Sequence, residues 1–192
     1  AILDGYAGKL ILHPSAETLE HYRKLSDEKA RVRSSLEAKR GAATETVDGR
    51  ALTVSANIEI VDELPLVKRS GAKGIGLYRT EFLLLNGEEM PDEKRQSEIY
   101  SKVAREMAPH QVIIRTLDAG GDKLPVEPLT EPEPNPFLGW RGVRVSLARP
   151  AMFREQIRAI LRASASGKVA VMFPMISGLS EVWRCKEMVR RC

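Results

Sequence analysis

Residues 74–80 read Gly-Ile-Gly-Leu-Tyr-Arg-Thr, and residues 112–116 read Val-Ile-Ile-Arg-Thr. Each run is an apolar, strand-like stretch that ends in Arg-Thr. If both runs are parallel strands, Arg79 and Arg115 occupy matching positions at the carboxyl edge of one sheet, which is where α/β folds bind ligands. Two neighbouring guanidinium groups can hold a phosphate or a carboxylate, so the two runs predict an anion site.

Strand and helix patterns alternate around these two runs. Strands are predicted at 52–58, 74–79, 112–115 and 169–173, and helices at 62–70, 91–107, 152–165 and 180–191. Helices of this length between apolar strands indicate parallel βαβ crossovers. Four such units make up half of an eight-fold barrel, so residues 47–192 are predicted to form the first half of a TIM (β/α)8 barrel. An open, doubly wound sheet is the competing architecture, but no Gly-x-Gly-x-x-Gly turn follows the first strand.

The first 46 residues differ in character from the rest. Residues 1–4 and 9–13 read as two strands of a hairpin, which is too small to form a core alone. We therefore expect residues 1–14 to be the remnant of a domain that lies mainly upstream. Ser15 offers an N-cap, and no Pro or Gly follows until Gly41, so a long helix is predicted at 16–40. Residues 15–46 are interpreted as a helical linker, because the apolar stripe of this helix is thin.

Composition limits the classes of function. The net charge is +4, but basic and acidic residues are interleaved and aromatic residues make up only 5% of the chain, so nucleic-acid binding is not predicted. The sequence has no apolar run of 18 residues and no leader-like start, so neither a membrane span nor a signal peptide is predicted. Cys185 and Cys192 lie too far apart on one predicted helix to form a disulfide, which indicates a reducing cytoplasm.

Arg141 is a third candidate for the anion site, because glycines flank it in Gly-Trp-Arg-Gly at 139–142. Packing of its guanidinium against Trp140 is an equal alternative. Arg79 and Arg115 also have a structural alternative, in which each arginine simply pairs with a nearby carboxylate, Glu81 or Asp118.

Other polar residues give weaker signals. The glycine-rich loop at 118–123 could let the backbone approach a ligand, and Asn57 could face the same site, but glycines and asparagines in such positions are also typical of turns. The three histidines, His13, His21 and His110, have no Cys or carboxylate neighbours at metal-site or triad spacing. Both cysteines are expected to be half-buried packing residues, so neither a metal site nor a catalytic residue is predicted within the chain.

Four motifs, in this order along the chain, resemble the phosphoenolpyruvate-utilising enzymes. They are Gly74–Leu83, Arg115–Lys123, Asn135–Arg141 and Met172–Ile176. Tyr78 and Phe82 make the chain more similar to the enzyme I branch than to the pyruvate phosphate dikinases. That branch comprises the phosphoenolpyruvate–protein phosphotransferases of the sugar phosphotransferase system and their nitrogen-related paralogues.

This resemblance implies a (β/α)8 barrel that binds phosphoenolpyruvate and Mg²⁺. The family's phosphoryl group passes to a histidine on a swivelling domain and then to a histidine phosphocarrier protein. By matching position, Arg79, Arg115 and Arg141 would bind the substrate. The resemblance also implies that residues 1–14 are the C-terminal edge of the swivelling domain and that the full-length parent is a cytoplasmic homodimer.

Several family residues have no counterpart in this sequence. They are the phosphorylated histidine, the catalytic cysteine and the Glu and Asp that bind Mg²⁺. We therefore expect a fragment that is inactive alone, with its Mg²⁺ ligands and catalytic residues supplied from outside the chain. Two alternatives stay open, namely a non-catalytic partial-barrel interaction module and a dikinase-like enzyme. The sugar and nitrogen branches are not separated by these motifs.

Overall fold

The computed structural model describes residues 1–40, 42, 44–84, 90–120, 135 and 138–192. These residues divide into two units, Ala1–Ala43 and Thr44–Cys192. The glycine-rich loop predicted at 118–123 is described only as far as Gly120, and residues 136–137 of the third motif also lie outside the described residues.

The first unit is a hairpin followed by a helix. Strands β1 (Ile2–Asp4) and β2 (Lys9–Ile11) pair antiparallel, and helix α1 spans Ala16–Ala38. Ser15 caps this helix, since its hydroxyl accepts a hydrogen bond from the Thr18 N–H at 3.1 Å. The predicted hairpin and long helix are both present. Their assignment to a swivelling domain and a linker remains a prediction.

The second unit alternates strands and helices. Its elements are β3 (Ala56–Ile58), α2 (Leu64–Ser70), β4 (Gly74–Tyr78), α3 (Glu93–Met107), β5 (Gln111–Arg115), α4 (Val143–Ala148), α5 (Pro150–Ala163), β6 (Val169–Met172) and α6 (Leu179–Arg191). The four strands are parallel and lie in the order β3-β4-β5-β6. The predicted α/β class with parallel crossovers is therefore confirmed, and closure into a barrel remains a prediction.

The core lies on one face of this sheet. Tyr78 of β4 and Ile114 of β5 are register partners, and both are buried against the helices together with Tyr100 of α3 and Ile160 of α5. Side chains alternate between the two faces of a strand. Arg79 and Arg115 each come one residue later, so they are directed away from this core. The position of the buried residues Tyr78 and Ile114 therefore determines that the side chains of the two arginines point away from the core.

Two strands differ from their predicted form. The first strand covers only Ala56–Ile58 rather than 52–58, because the preceding residues fold into a separate turn in which the Leu52 N–H donates to the Thr44 carbonyl at 2.7 Å. The continuous apolar run at 169–173 also predicts that the fourth strand is buried, and this prediction is wrong. Residues of β6 are half-buried or exposed, since this strand lies at the edge of the described sheet.

Helix α4 was not predicted, and the two cysteines differ from expectation. Cys185 is fully buried, whereas Cys192 is exposed, so neither is half-buried. Seven residues make about two turns, so Cys192 keeps nearly the same side of α6 as Cys185, but it follows Arg191, the last residue of the helix, and lies beyond the packed part. Among the described residues, no helix combines the length and the apolar character that crossing a bilayer requires.

Candidate anion site at the carboxyl edge of the sheet

The ends of β4 and β5 bring Arg79 and Arg115 to one edge of the sheet. Tyr78 and Ile114 are paired in register, so the residues that directly follow them, Arg79 and Arg115, come next to each other at the ends of neighbouring strands. The Arg79 N–H donates to the Ile58 carbonyl at 2.9 Å, which extends the sheet pattern to β3. The structure thus brings the two arginines together in the way their sequence spacing indicates.

Arg115 is held by two carboxylates. Its Nη2 donates to Glu81 Oε2 at 3.0 Å, and its Nη1 lies 3.2 Å from Asp118 Oδ2. All three side chains are less than one-fifth exposed. For Arg115, the structural alternative of a carboxylate pair therefore describes the geometry. The two acids also orient the planar guanidinium, because few of its orientations let the N–H groups donate to both carboxylates.

Arg141 joins the same cluster through Asp118. Its Nε donates to Asp118 Oδ1 at 3.0 Å, and its Nη2 donates to the Asp118 carbonyl at 3.1 Å. The carboxylate of Asp118 consequently lies between the guanidinium groups of Arg115 and Arg141. The third predicted arginine is therefore placed at the same edge as the second.

The backbone next to Arg141 is shaped by a glycine that a larger residue cannot replace without strain. Gly142 has φ of +61°, a conformation that side chains disfavour. A Cβ at this position would lie 2.9 Å from Met175 Cγ and 3.1 Å from the Pro174 carbonyl oxygen. The Val143 N–H donates to that same carbonyl at 3.1 Å, so the start of α4 packs directly on the segment after β6. This close approach fixes where Arg141 leaves the backbone.

Arg79 has a different partner from the two acids expected. Its Nη1 lies 2.5 Å from Glu59 Oε1, so Arg79 pairs with a carboxylate other than the two that the structural alternative named. Glu63 holds the backbone at Glu59 in place, because its Oε2 accepts hydrogen bonds from the N–H groups of Glu59 at 2.7 Å and of Ile60 at 3.1 Å. Sequence reasoning missed Glu59, although it follows β3 in the way that Arg79 follows β4.

The cluster is electrically balanced in the described contacts. Three guanidinium groups, on Arg79, Arg115 and Arg141, meet three carboxylates, on Glu59, Glu81 and Asp118. Arg79 is the most accessible of the three, with 43% of its side chain exposed. Arginine stays charged at all physiological pH values, so these groups suit holding an anion and stabilising its charge rather than moving protons.

The described side chains at this edge do not fit a divalent metal ion. The described residues contain no group of three or more His, Cys, Asp or Glu side chains arranged to hold a metal ion. Each of the three carboxylates at this edge already pairs with an arginine. We therefore assign no magnesium ligand to these side chains.

The remaining candidates lie elsewhere. His13 and His21 are in the first unit, and His110 precedes β5, at the opposite end of that strand from Arg115. Asn57 is exposed within β3, and it has no hydrogen bond to the three arginines among the described residues. Cys185 lies in a hydrophobic cluster, where burial raises the pKa of its thiol to about 11. A thiol with so high a pKa is a packing group rather than a nucleophile at neutral pH.

Residues 33–192 match the sequence profile of the family described as PEP-utilising enzyme, PEP-binding domain. The chain belongs to the family of PEP-utilising enzymes. The matched residues include the whole of the sheet and all three arginines of its carboxyl edge. The candidate anion site therefore lies within the part of the chain that matches the PEP-binding domain.

Relatives within the PEP-utilising enzymes extend the match along the chain. Proteins named phosphoenolpyruvate-protein phosphotransferase are similar to it, with 42% identity in Staphylococcus carnosus, 44% in Staphylococcus epidermidis and 40% in Listeria innocua. Each match runs over 189 residues and covers 98% of this chain but only 33% of the relative. The chain thus spans about a third of the length of the curated relatives that it matches.

Proposed function

We propose that the chain is part of a phosphoenolpyruvate-dependent protein phosphotransferase of the enzyme I type. The parent would transfer phosphate from phosphoenolpyruvate to a histidine and then to a histidine phosphocarrier protein. The observation that carries this proposal is the placement of Arg79, Arg115 and Arg141 at one edge of a PEP-binding domain. The names of the relatives support the same reaction.

The three arginines suit this reaction because phosphoenolpyruvate carries a phosphate and a carboxylate. Phosphoryl transfer spreads negative charge over the phosphate oxygens, and catalysis depends mainly on positioned cations. Arg115 is shielded and held by two acids, so its guanidinium is oriented before substrate arrives. Arg79 is more exposed and pairs with Glu59 alone, so it is the arginine that an incoming anion meets most easily.

The rest of the machinery would lie outside this chain. We propose that the Mg²⁺ ligands, the phosphorylated histidine and the catalytic cysteine are supplied by other parts of the parent, so that this chain is inactive alone. Mg²⁺, when bound, would offset charge on the phosphate. In this proposal residues 47–192 are the first half of a (β/α)8 barrel, residues 15–46 are a linker and residues 1–14 are the edge of the swivelling domain. The parent would be a cytoplasmic homodimer.

The test uses the full-length parent that carries this chain. Arg79→Ala and Arg115→Ala are each expected to lower phosphoenolpyruvate-dependent phosphorylation of the histidine by more than about tenfold. Arg162→Ala is the matched control, because Arg162 pairs with Glu93 on the helical side, away from the strand ends. Near-normal autophosphorylation of either site variant would refute the assignment of that arginine. An unmodified parent without any phosphoenolpyruvate-dependent transfer would refute the function itself.

A further inference from the structure

Gln156 lies behind the arginine cluster, on α5, and contacts the segments that follow both β4 and β5. Its Nε2 donates to Thr80 Oγ1 at 3.2 Å, and its Oε1 accepts the Leu117 N–H at 3.0 Å. Thr80 directly follows Arg79, and Leu117 directly precedes Asp118. Gln156 is only 2% exposed. One buried amide therefore connects the two segments that carry the site.

The hydrogen bonds fix the orientation of this amide. The Thr80 hydroxyl has a single proton, which it donates to the Arg115 carbonyl at 2.9 Å, so it accepts from Gln156. The opposite amide orientation would set the NH₂ group of Gln156 against the Leu117 N–H, where two donors would face each other. Only one arrangement satisfies all of these groups.

The second hydrogen of the Gln156 NH₂ group anchors the amide to α3. It donates to the Tyr100 hydroxyl at 3.3 Å, and Tyr100 donates to Gln96 Oε1 at 3.1 Å. Gln96 Nε2 in turn donates to the Pro91 carbonyl at 2.6 Å. Burial raises the pKa of Tyr100, so its hydroxyl keeps the proton that this chain of bonds requires. Gln156 is thus held at both ends of its amide by groups that are themselves buried.

We propose that Gln156 is a positioning residue that sets the spacing between the Arg79-Thr80 segment and the Arg115–Asp118 segment. It acts through Thr80 and Leu117 and not by touching the bound anion. The nature of that anion, phosphoenolpyruvate, rests on the function proposed above. Because groups that bind one anion together must be held at a fixed separation, a buried residue that sets this separation affects how tightly the site binds the anion.

The chain offers a matched control for this proposal. Gln96 belongs to the same hydrogen-bond network and is equally buried, but its bonds go to Tyr100 and Pro91 and not to a segment that carries a site arginine. Gln156→Met and Gln96→Met make the same change in shape and remove the same chemical group. Both variants should lower the melting temperature of the full-length parent, since each leaves buried polar groups without partners.

Two readouts separate positioning from stability. The first is steady-state kinetics of the folded parent at a temperature below both melting transitions. Gln156→Met should raise the KM for phosphoenolpyruvate by about tenfold with a much smaller change in kcat, whereas Gln96→Met should leave KM within about twofold. The second is the NMR signal of the Arg115 Nε–H group, recorded without substrate, which should shift in Gln156→Met and not in Gln96→Met.

The outcomes decide the proposal in each case. Equal KM values in the two variants, or an Arg115 signal that does not move in Gln156→Met, would overturn it. If Gln156→Met does not fold, Thr80→Val replaces it in both measurements, because this substitution keeps the side-chain shape and removes only the hydroxyl between Gln156 and Arg115. If the unmodified parent shows no transfer from phosphoenolpyruvate, the proposed function fails, and the Arg115 signal alone then decides whether Gln156 positions the cluster.

Discussion

The backbone N–H of Asp118 donates a hydrogen bond to Glu81 Oε1 at 2.7 Å, which joins two acids from neighbouring strand ends. Both carboxylates bind the guanidinium of Arg115, so the arginine lies in a frame made by the segments after β4 and β5. Arg141 then uses the remaining oxygen of Asp118. In this member of the PEP-utilising enzyme family, the acids that neutralise the three arginines also define the geometry of the guanidinium groups.

Asp118→Asn tests whether the carboxylate of Asp118 holds Arg115 and Arg141 in place. The substitution removes the negative charge between Arg115 and Arg141 while keeping the side-chain size. We expect the free energy of unfolding to fall by about 1–3 kcal/mol, because two largely shielded cations lose a shared partner. Chemical denaturation measures the change.

Asp62→Asn is the control for this prediction. Asp62 is exposed and has no ion pair among the described residues, so its neutralisation should change stability by less than about 0.5 kcal/mol. Equal effects of the two substitutions would show that Asp118 does not hold the arginines in solution.

Glu59→Gln should strengthen binding of the substrate. The carboxylate of Glu59 pairs with the guanidinium of Arg79, so an incoming phosphate has to compete with Glu59 for this guanidinium. Removal of that charge is expected to lower the KM for phosphoenolpyruvate of the full-length parent about threefold. Stability should change by less than about 0.5 kcal/mol, since both side chains are at least one-third exposed.

Glu187→Gln controls for the general effect of losing one acid. Glu187 is also partly exposed, and its ion pairs with Arg190 and Arg191 lie within α6. Its substitution should leave KM unchanged. An unchanged or higher KM in Glu59→Gln would contradict the idea that Glu59 competes with the substrate.

Gly142→Ala should destabilise the second unit. The positive φ of Gly142 and the contact of a new Cβ with Met175 and the Pro174 carbonyl each add strain. We expect the free energy of unfolding to fall by about 1–3 kcal/mol. Gly178→Ala is the comparison, because Gly178 has extended backbone and a Cβ there would make only an ordinary contact, 3.9 Å from Ser180 Oγ, so a loss of similar size would refute the steric explanation.

Thiol labelling should distinguish the two cysteines. Cys192 is exposed and should react with a maleimide in the folded protein, whereas Cys185 should react only after unfolding. Burial raises the pKa of Cys185 to about 11, so its thiolate is scarce at pH 8 and its labelling in the native state should rise only as the pH approaches that value. Mass spectrometry of the labelled peptides measures both sites, and fast labelling of Cys185 at pH 8 would contradict its burial.

Local patterns were enough to predict the α/β class and the position of the first two arginines. The alternation of apolar strands with helices is a property of neighbouring residues, and so is the position of Arg79 and Arg115 at strand ends. Parallel strands present their carboxyl ends at the same edge, which converts this local pattern into a shared site. The motifs around these arginines were also sufficient to indicate the family.

The partners of those arginines depended on the tertiary structure. Glu59 reaches Arg79 across 20 positions of sequence, and Gln156 reaches Thr80 across 76. Such pairs depend on strand register and on how α5 packs behind the sheet, and neither is encoded in the spacing of nearby residues. The sequence therefore located the cations and named the two acids beside Arg115, but only packing in three dimensions decided that Glu59 holds Arg79 and that the amide of Gln156 lies between the two segments.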